Sequence, residues 1–139
     1  MKDPIIHQPS KLWGAQLIGN DTTIGTFCDI GNDVIIGKNC KIQAGVKIPP
    51  QTRIGNNVFI GANVVFTNDK YMDGNMEGVV VEDGVKIGAG AILMAGIKVG
   101  KNSIIGSGSV VIRDVPNGAT VVGNPAKQVI KRDSHGNLE

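Results

Sequence analysis

The residues that could carry chemistry are few and widely spaced. The two histidines, His7 and His135, stand near opposite ends of the sequence. Two histidines cannot form the three-histidine zinc site of a metalloenzyme, so no metal is expected. Asn68 and Asp69 stand together directly after a long aliphatic pattern ends. An amide carbonyl can orient a nucleophile and a carboxylate can accept its proton, although such a pair also commonly begins a turn.

The aliphatic pattern before Asn68 has a period of six. An apolar residue recurs at every sixth position, and these anchors are Leu12, Ile18, Ile24, Ile30, Ile36, Ile42, Ile48, Ile54, Ile60 and Phe66. Glycine directly follows many of them, and we expect positive φ at these glycines because they lie in turns. A period of six fits neither an α-helix nor an isolated amphipathic strand. It indicates a β-helix built from hexapeptide repeats, which is an all-β fold.

Three hexapeptides close one triangular coil, so anchors about 18 residues apart should stack at the inter-strand spacing of about 4.8 Å. The pattern fails after Phe66, resumes at Val81 and continues to Val111. The interval from Phe66 to Val81 is one hexapeptide plus about nine residues. The sequence therefore predicts about five coils and one inserted loop, and a loop on a regular scaffold is a common place for function.

These patterns divide a single domain, 1–139, into five segments. We expect an irregular lead-in over 1–11, coils over 12–66, a loop over 67–80, coils over 81–112, and a cap and tail over 113–139 with a short helix from Pro125. Cys28 and Cys40 both lie two residues before an anchor. We expect them to be buried thiols, and not disulfide or metal ligands, since this position holds small core residues.

The bulk properties exclude several functions. The formal net charge of +2 is too small to indicate a nucleic-acid partner. No apolar run approaches the roughly 18 residues that cross a membrane, so no membrane partner is expected. The first residues lack the apolar stretch of a signal peptide. A cytoplasmic location is the expectation.

Two motifs near the end of the pattern resemble a known family. Residues 115–119 read VPNGA and residues 122–127 read VGNPAK. Together with the hexapeptide repeat they resemble the hexapeptide-repeat acyltransferases. Within that family, Lys41-Ile42-Gln43 and the run from Val65 to Asp69 are similar to small N-acetyltransferases that modify amino groups on nucleotide-linked sugars. The resemblance implies a left-handed β-helix and a homotrimer with three active sites between neighbouring subunits.

The resemblance also implies where acetyl-CoA, the acyl donor, binds. Its pantetheine arm would lie along the C-terminal coils, held by backbone amides at Ala89-Gly90 and at Ser107-Gly108, two turns that lie one coil apart. Small residues suit this role because a thin ligand must approach the backbone closely. Arg113 and Lys127 match positions where relatives place groups near the nucleotide end of CoA, whose phosphates favour basic partners.

The absence of a histidine that could act as general base predicts which chemical group accepts the acetyl group. Many relatives use a loop histidine to deprotonate a hydroxyl acceptor, but this loop has none. An amine already has a nucleophilic free-base fraction near neutral pH, so positioning it near the thioester supplies much of the rate. By resemblance, Asn68 orients the amine, and Asp69 would accept the proton or stabilise the ammonium. The alternatives are O-acetylation of a sugar or small alcohol, and a non-catalytic structural β-helix.

Two departures from the family bear on the acceptor. Some sugar N-acetyltransferases carry a histidine shortly after the Lys-Ile-Gln motif, whereas Ala44 and Gly45 follow Gln43 here. Others carry a loop arginine for a substrate carboxylate, whereas this loop offers Lys70 and no arginine. A neutral amino sugar is therefore favoured over a uronic acid. We also expect any nucleotide to bind the β-helix and its loop.

Overall fold

A computed structural model describes residues 1–130 and His135. Short strands recur along the whole of it, and no helix occurs in this part of the chain. The strands are β1 Ile5–Ile6, β2 Lys11–Leu12, β3 Gln16–Ile18, β4 Thr23–Ile24, β5 Asp29–Ile30, β6 Val34–Ile36, β7 Lys41–Ile42, β8 Lys47–Ile48, β9 Arg53–Ile54, β10 Phe59–Ile60, β11 Val65–Phe66, β12 Val80–Val81, β13 Lys86–Ile87, β14 Ile92–Leu93, β15 Lys98–Val99, β16 Ile104–Ile105, β17 Val110–Val111, β18 Thr120–Gly123 and β19 Ala126–Gln128.

From β1 to β17, every third strand joins the same parallel sheet, and β18 and β19 extend sheet 1, with β19 antiparallel to β18. Sheet 1 runs β1-β4-β7-β10-β13-β16-β18-β19, sheet 2 runs β2-β5-β8-β11-β14-β17, and sheet 3 runs β3-β6-β9-β12-β15. The three sheets form a parallel β-helix of about six coils, consistent with the left-handed form that the family resemblance implies. The all-β hexapeptide fold is confirmed.

The anchors fill the core of this triangular helix. Ile30 pairs in register with Ile48, and Ile42 with Ile60, so identical side chains stack from coil to coil. These four residues are buried. Each buried aliphatic side chain contributes on the order of 1.5–3 kcal/mol. Because the stack is continuous, the core stabilises every coil through the coils on either side of it.

The position two residues before each anchor also faces the core, and three of its polar members bond to the next coil. The Thr22 hydroxyl donates to the Gly37 carbonyl at 2.7 Å, the Cys28 thiol to Gln43 at 3.2 Å and the Cys40 thiol to Gly55 at 3.1 Å. Both cysteines are free and buried, as predicted. Burial raises the pKa of each thiol above its ordinary value. In the described part of the chain, no cluster of three possible metal ligands occurs.

The role predicted for the glycines that follow the anchors is wrong. Positive φ occurs two residues later, for example at Asn57 (57°) and Asn63 (61°). The glycine itself is required by close packing of the coils. A Cβ on Gly19 would lie 2.5 Å from the backbone carbon of Gly37, and one on Gly61 would lie 2.5 Å from the Ala89 nitrogen. Residues larger than glycine would therefore force neighbouring coils apart.

Both ends of the helix differ from the prediction. The lead-in is not irregular throughout, because β1 pairs in parallel with β4 and adds to the first coil. The prediction of a short α-helix from Pro125 is wrong, since β19 folds back antiparallel on β18. Gly123, at a φ of 103°, allows the reversal between them. The part of the predicted tail at 131–134 and 136–139 lies outside the described residues.

The inserted loop lies between β11 and β12 and leaves the register unchanged. Phe66 aligns with Leu93 in sheet 2, and Ile54 aligns with Val81 in sheet 3. The coil that carries the loop is therefore longer than its neighbours by about nine residues, as the sequence predicts. None of the described residues belongs to a helix long and apolar enough to cross a membrane.

Candidate functional site

The corners of the helix position the candidate residues. We call the turns that lead from sheet 1 to sheet 2 corner 1–2, those from sheet 2 to sheet 3 corner 2–3, and those from sheet 3 to sheet 1 corner 3–1. Ala89 and Gly90 lie between β13 and β14, and Ser107 and Gly108 lie between β16 and β17, all in corner 1–2. The Gly108 N–H donates to the Ala89 carbonyl at 2.8 Å. The two predicted cofactor turns therefore stack directly, one coil apart.

Corner 1–2 is open to solvent at these two turns. Gly90 and Gly108 have φ of 71° and 70°, and no atom lies within 4 Å of the place that a Cβ would take on either. At Gly45, an earlier turn of the same corner, the Asn63 side chain occupies that place. The C-terminal coils thus leave the backbone uncovered along this edge, and a thin ligand could reach the main chain there. We call this uncovered strip of backbone the furrow.

This furrow also holds unused hydrogen-bond donors. Among the described residues, the main-chain N–H groups of Ala62, Ala89 and Ser107 donate to no partner. Several of the matching N–H groups of corner 3–1 are bonded: Lys38 donates to Asn56 Oδ1 at 2.9 Å, Asn56 to Asp83 Oδ1 at 2.7 Å and Lys101 to Asn117 Oδ1 at 3.0 Å. Corner 1–2 has no Asn or Asp side chain in that role. We call the three free N–H groups of Ala62, Ala89 and Ser107 the amide column.

Ala62 was not predicted as a site residue, although a sequence signal for it exists. The residues two positions after the anchors in corner 3–1 include Asn56, Asp83 and Asn117, which bond to the coil before them. The equivalent residues of corner 1–2, from Ala62 onward, are small. A run of small residues where the other corner carries Asn or Asp thus marks the edge whose amides stay free.

The inserted loop leaves the helix at corner 2–3 and is tied down at its base. The Asn68 carbonyl accepts from the Glu77 N–H at 2.8 Å, which closes the loop. The Thr67 hydroxyl accepts from the Ala95 N–H at 2.9 Å, which joins the loop to the next coil. The backbone of Asn68 is therefore held by the scaffold, while the tip of the loop is exposed.

Asn68 and Asp69 differ in how their side chains are used. The Asp69 carboxylate accepts from the Asp73 N–H at 3.0 Å and the Gly74 N–H at 2.9 Å, so it organises the loop. The half-buried Asn68 side chain bonds to none of the residues that the structure describes. Its amide group can therefore accept from and donate to a ligand without breaking an existing hydrogen bond.

One chain does not bring the loop and the amide column together. The strands of sheet 2 begin at corner 1–2 and end at corner 2–3. Ala89 precedes β14, whereas Asn68 follows β11, the strand beside it. The width of sheet 2 separates the two sets of residues. A site that uses both sets needs a second copy of the chain.

Arg113 and Lys127 lie together at the C-terminal end of the helix. They line a cleft of about 350 Å³ with Val111, Asp114 and other residues. Arg113 follows β17 and therefore belongs to corner 2–3, across sheet 2 from Ser107. His7 is in the first coil, where it lines a cleft of about 320 Å³ with Lys41 and Gln43. The coils between β1 and β11 separate His7 from the loop.

A model of the bacterial transferase hexapeptide family (six repeats) matches residues 17–50, 35–68 and 78–113. The 2,3,4,5-tetrahydropyridine-2,6-dicarboxylate N-acetyltransferase of Staphylococcus carnosus is 49% identical over 80 residues, which are 58% of this chain and 33% of that protein. The bifunctional protein GlmU of Bartonella bacilliformis is 39% identical over 110 residues, 79% of this chain and 23% of that one. The chain thus spans a third or less of the length of these relatives.

Two solved structures share the fold. AntD, an N-acyltransferase from Bacillus cereus in complex with dTDP and 3-hydroxybutyryl-CoA, has a TM-score of 0.82 at 19% identity, over 96% of this chain and 82% of AntD. The acetyltransferase domain of PglB from Neisseria gonorrhoeae, in complex with acetyl coenzyme A, has a TM-score of 0.77 at 19% identity, over 91% of this chain and 58% of that one. At these identities the likeness is one of fold.

Proposed function

Because the chain belongs to the bacterial transferase hexapeptide family, we propose that it is an acetyl-CoA-dependent N-acetyltransferase whose acceptor is an amino sugar linked to a nucleotide. The amide column carries this proposal. Three free N–H groups stand on consecutive coils beside two uncovered glycines. The packing of the coils does not by itself require free donors at this position, because several of the equivalent groups in corner 3–1 are bonded.

The amide column suits the pantetheine arm of CoA. Its donors repeat at about 4.8 Å, the spacing between coils. Pantetheine carries two amide groups, whose carbonyls accept hydrogen bonds from such donors. The open faces of Gly90 and Gly108 let the arm reach the main chain. Lys127, together with Arg113 of a neighbouring subunit, since Arg113 belongs to corner 2–3, would supply positive charge for the phosphates. The complexes of AntD and PglB with CoA compounds support this choice of donor.

The side chain of Asn68 can position the amine that attacks the thioester. The nitrogen lone pair attacks the acetyl carbonyl carbon, the C–S bond then breaks, and the sulfur leaves as the CoA thiolate. The proton shed by the resulting ammonium neutralises the thiolate, so the products are the N-acetyl sugar and free CoA. The side-chain carbonyl of Asn68, which has no partner among the described residues, orients the amine N–H groups toward the thioester. The Asp69 carboxylate, already fixed by two amides, stabilises the ammonium that forms.

A homotrimer would complete this site. The outer face of sheet 2 carries Val65, Ile92 and Val110 in register, an unbroken apolar stripe in the C-terminal coils. On sheet 1 the stripe is interrupted, because Lys86 stands between Phe59 and Ile104. Packing three copies through sheet 2 would place corner 1–2 of each beside corner 2–3 of the next. The amide column of one subunit would then face Asn68 of its neighbour.

A thiol-release assay tests the proposal. The chain is incubated with acetyl-CoA and a panel of nucleotide-linked and free amino sugars, with the matching hydroxyl sugars as controls. We expect release with at least one amine and none with its hydroxyl counterpart. Release with hydroxyl acceptors alone would identify an O-acetyltransferase. No CoA binding and no release with any acceptor would favour a structural β-helix.

A further inference from the structure

A cleft with a mainly apolar lining lies outside the residues assigned so far. It measures about 430 Å³ and lies mainly along corner 2–3 of the N-terminal coils. Its lining residues include Trp13, Lys47, Pro49, Pro50 and Phe66. Phe66 is the last residue before the loop. The cleft is therefore continuous with the base of the loop that carries Asn68.

Trp13 forms a fixed, exposed wall of this cleft. Its indole Nε1–H donates to Asp29 Oδ1 at 3.0 Å, which sets the orientation of the ring. The Lys11 ammonium lies 4.6 Å from the ring centroid. Even so, 53% of Trp13 is exposed. An indole that is held in place but not covered offers a flat surface on which another aromatic ring can stack.

The charges beside the cleft favour an anion. Lys11, Asp29 and Lys47 follow one another in register on the outer face of sheet 2. Asp29 already accepts from the indole. Within the described residues, neither lysine lies in a salt bridge. The two ammonium groups outnumber the single carboxylate, so the edge of the cleft carries a net positive charge that a phosphate can neutralise.

We propose that this cleft binds the nucleoside diphosphate part of the acceptor. The base stacks on Trp13, the phosphates lie toward Lys47, and the sugar extends past Pro49 and Phe66 to Asn68. This inference rests on the proposed function, since it assigns a part of the same acceptor. A planar base and an adjacent diphosphate match the two properties of the cleft, an aromatic wall and positive charge.

Trp13 is the single tryptophan of the chain, so intrinsic fluorescence reports directly on the cleft. The intact protein is titrated with UDP, dTDP, GDP, CDP and ADP, with inorganic pyrophosphate as a control that has no base. We expect saturable quenching by at least one nucleoside diphosphate and none by pyrophosphate. No saturable quenching, together with no heat of binding in calorimetry for any of the five, would overturn the inference.

Variants measured by calorimetry separate stacking from charge. Trp13→Leu should weaken the binding of the same nucleotide about tenfold or more, while Trp13→Phe keeps most of it. Lys47→Gln should weaken binding about fivefold and reduce its salt dependence. The control is Lys86→Gln, an equally exposed lysine on sheet 1, and it should change nothing. Unchanged affinity in both Trp13→Leu and Lys47→Gln would overturn the inference.

Two further outcomes are distinguishable. If nucleoside diphosphates do not bind but a free amino sugar is acetylated, this inference fails and the proposed function stands. If they bind but no amine is acetylated, the proposed function fails and the binding site stands. Sedimentation of Trp13→Leu is compared with that of the unmodified chain. If the variant alone dissociates, Trp13 belongs to a subunit contact and the inference is overturned.

Discussion

Asn68 and Ala89 lie at opposite edges of sheet 2. Asn68 follows β11 at corner 2–3, and Ala89 precedes the neighbouring strand β14 at corner 1–2. No rearrangement of side chains can join them in one chain, because the strands of sheet 2 lie between. A reaction that uses both residues must therefore combine two subunits, and this arrangement leads to the first prediction.

Two inactive variants should complement each other. Asn68→Ala removes the acceptor group and Gly90→Asn fills the furrow, so each variant alone should lose activity. After refolding at equal amounts, about a quarter of all sites in randomly assembled trimers would pair an intact loop with an intact furrow. Thiol release should therefore return to about a quarter of the normal rate. A mixture as inactive as its components would place the site within one chain.

Side chains added to the furrow should block CoA without unfolding the chain. Gly90→Asn and Gly108→Asn suit this test, because asparagine tolerates positive φ and both positions have open space. We expect CoA affinity to fall about tenfold or more, as measured by calorimetry. Gly118→Asn is the matched control, since Gly118 has a φ of 71° and open space but lies in corner 3–1. Equal loss in all three variants would contradict the furrow as the CoA site.

Replacing Asn68 and replacing Asp69 with alanine should affect different kinetic constants. Asn68→Ala removes a side chain with no partner within the described structure, so kcat should fall about 10²-fold while CoA affinity and thermal stability stay unchanged. Asp69→Ala frees the N–H groups of Asp73 and Gly74, so the loop should loosen and KM for the acceptor should rise. Steady-state kinetics with the acceptor identified by the assay separates the two. An unchanged kcat in Asn68→Ala would remove it from the site.

The buried thiols should make stability fall at high pH. Burial raises the pKa of Cys28 and Cys40 in the folded chain above the ordinary value of 9.0. The unfolded chain therefore loses these protons first, and the free energy of unfolding falls as pH rises above about 9. Urea unfolding at pH 8 and pH 10 measures the change. The double variant Cys28→Val and Cys40→Val should show a smaller decrease, since valine occupies this position in other coils. An identical decrease would assign it to other groups.

Phe27 should be a site of backbone strain. It has a φ of 59° and is 64% exposed, so it gains little from burial in a conformation that suits asparagine. Phe27→Asn should raise the free energy of unfolding by on the order of 1 kcal/mol, measured in urea. Asn63, at a φ of 61°, holds the matching position two coils away. A loss of stability would contradict the prediction of strain at Phe27.

The sequence predicts the sheets and the loop because both depend on spacing alone. The interval between Phe66 and Val81 gave the size of the insertion, and the alignment of Phe66 with Leu93 confirms it. The first coil was missed because β1 contains only Ile5 and Ile6, between prolines at positions 4 and 9. The terminal hairpin was missed because its pairing joins β18 to β19, outside the hexapeptide register.

The site was predictable only in part. Spacing places Ala89 and Ser107 one coil apart, but whether their N–H groups are free depends on which side chains reach them from the next coil. The same is true of Asp69, whose two backbone partners lie further along a loop with no repeat. Hydrogen-bond partners of this kind follow from three-dimensional contacts, which a one-dimensional pattern does not contain.

The unchanged register around the inserted loop has a consequence for how such a protein can diversify. Phe66 aligns with Leu93 despite the extra residues, so the register of the coils that follow the loop does not depend on the length of the loop. The exposed residues 70–76 can be exchanged for another segment while the amide column keeps its spacing. Under the proposed function, acceptor choice and donor binding would thus depend on separate parts of one scaffold, and a new acceptor specificity could arise without any change in the folded core.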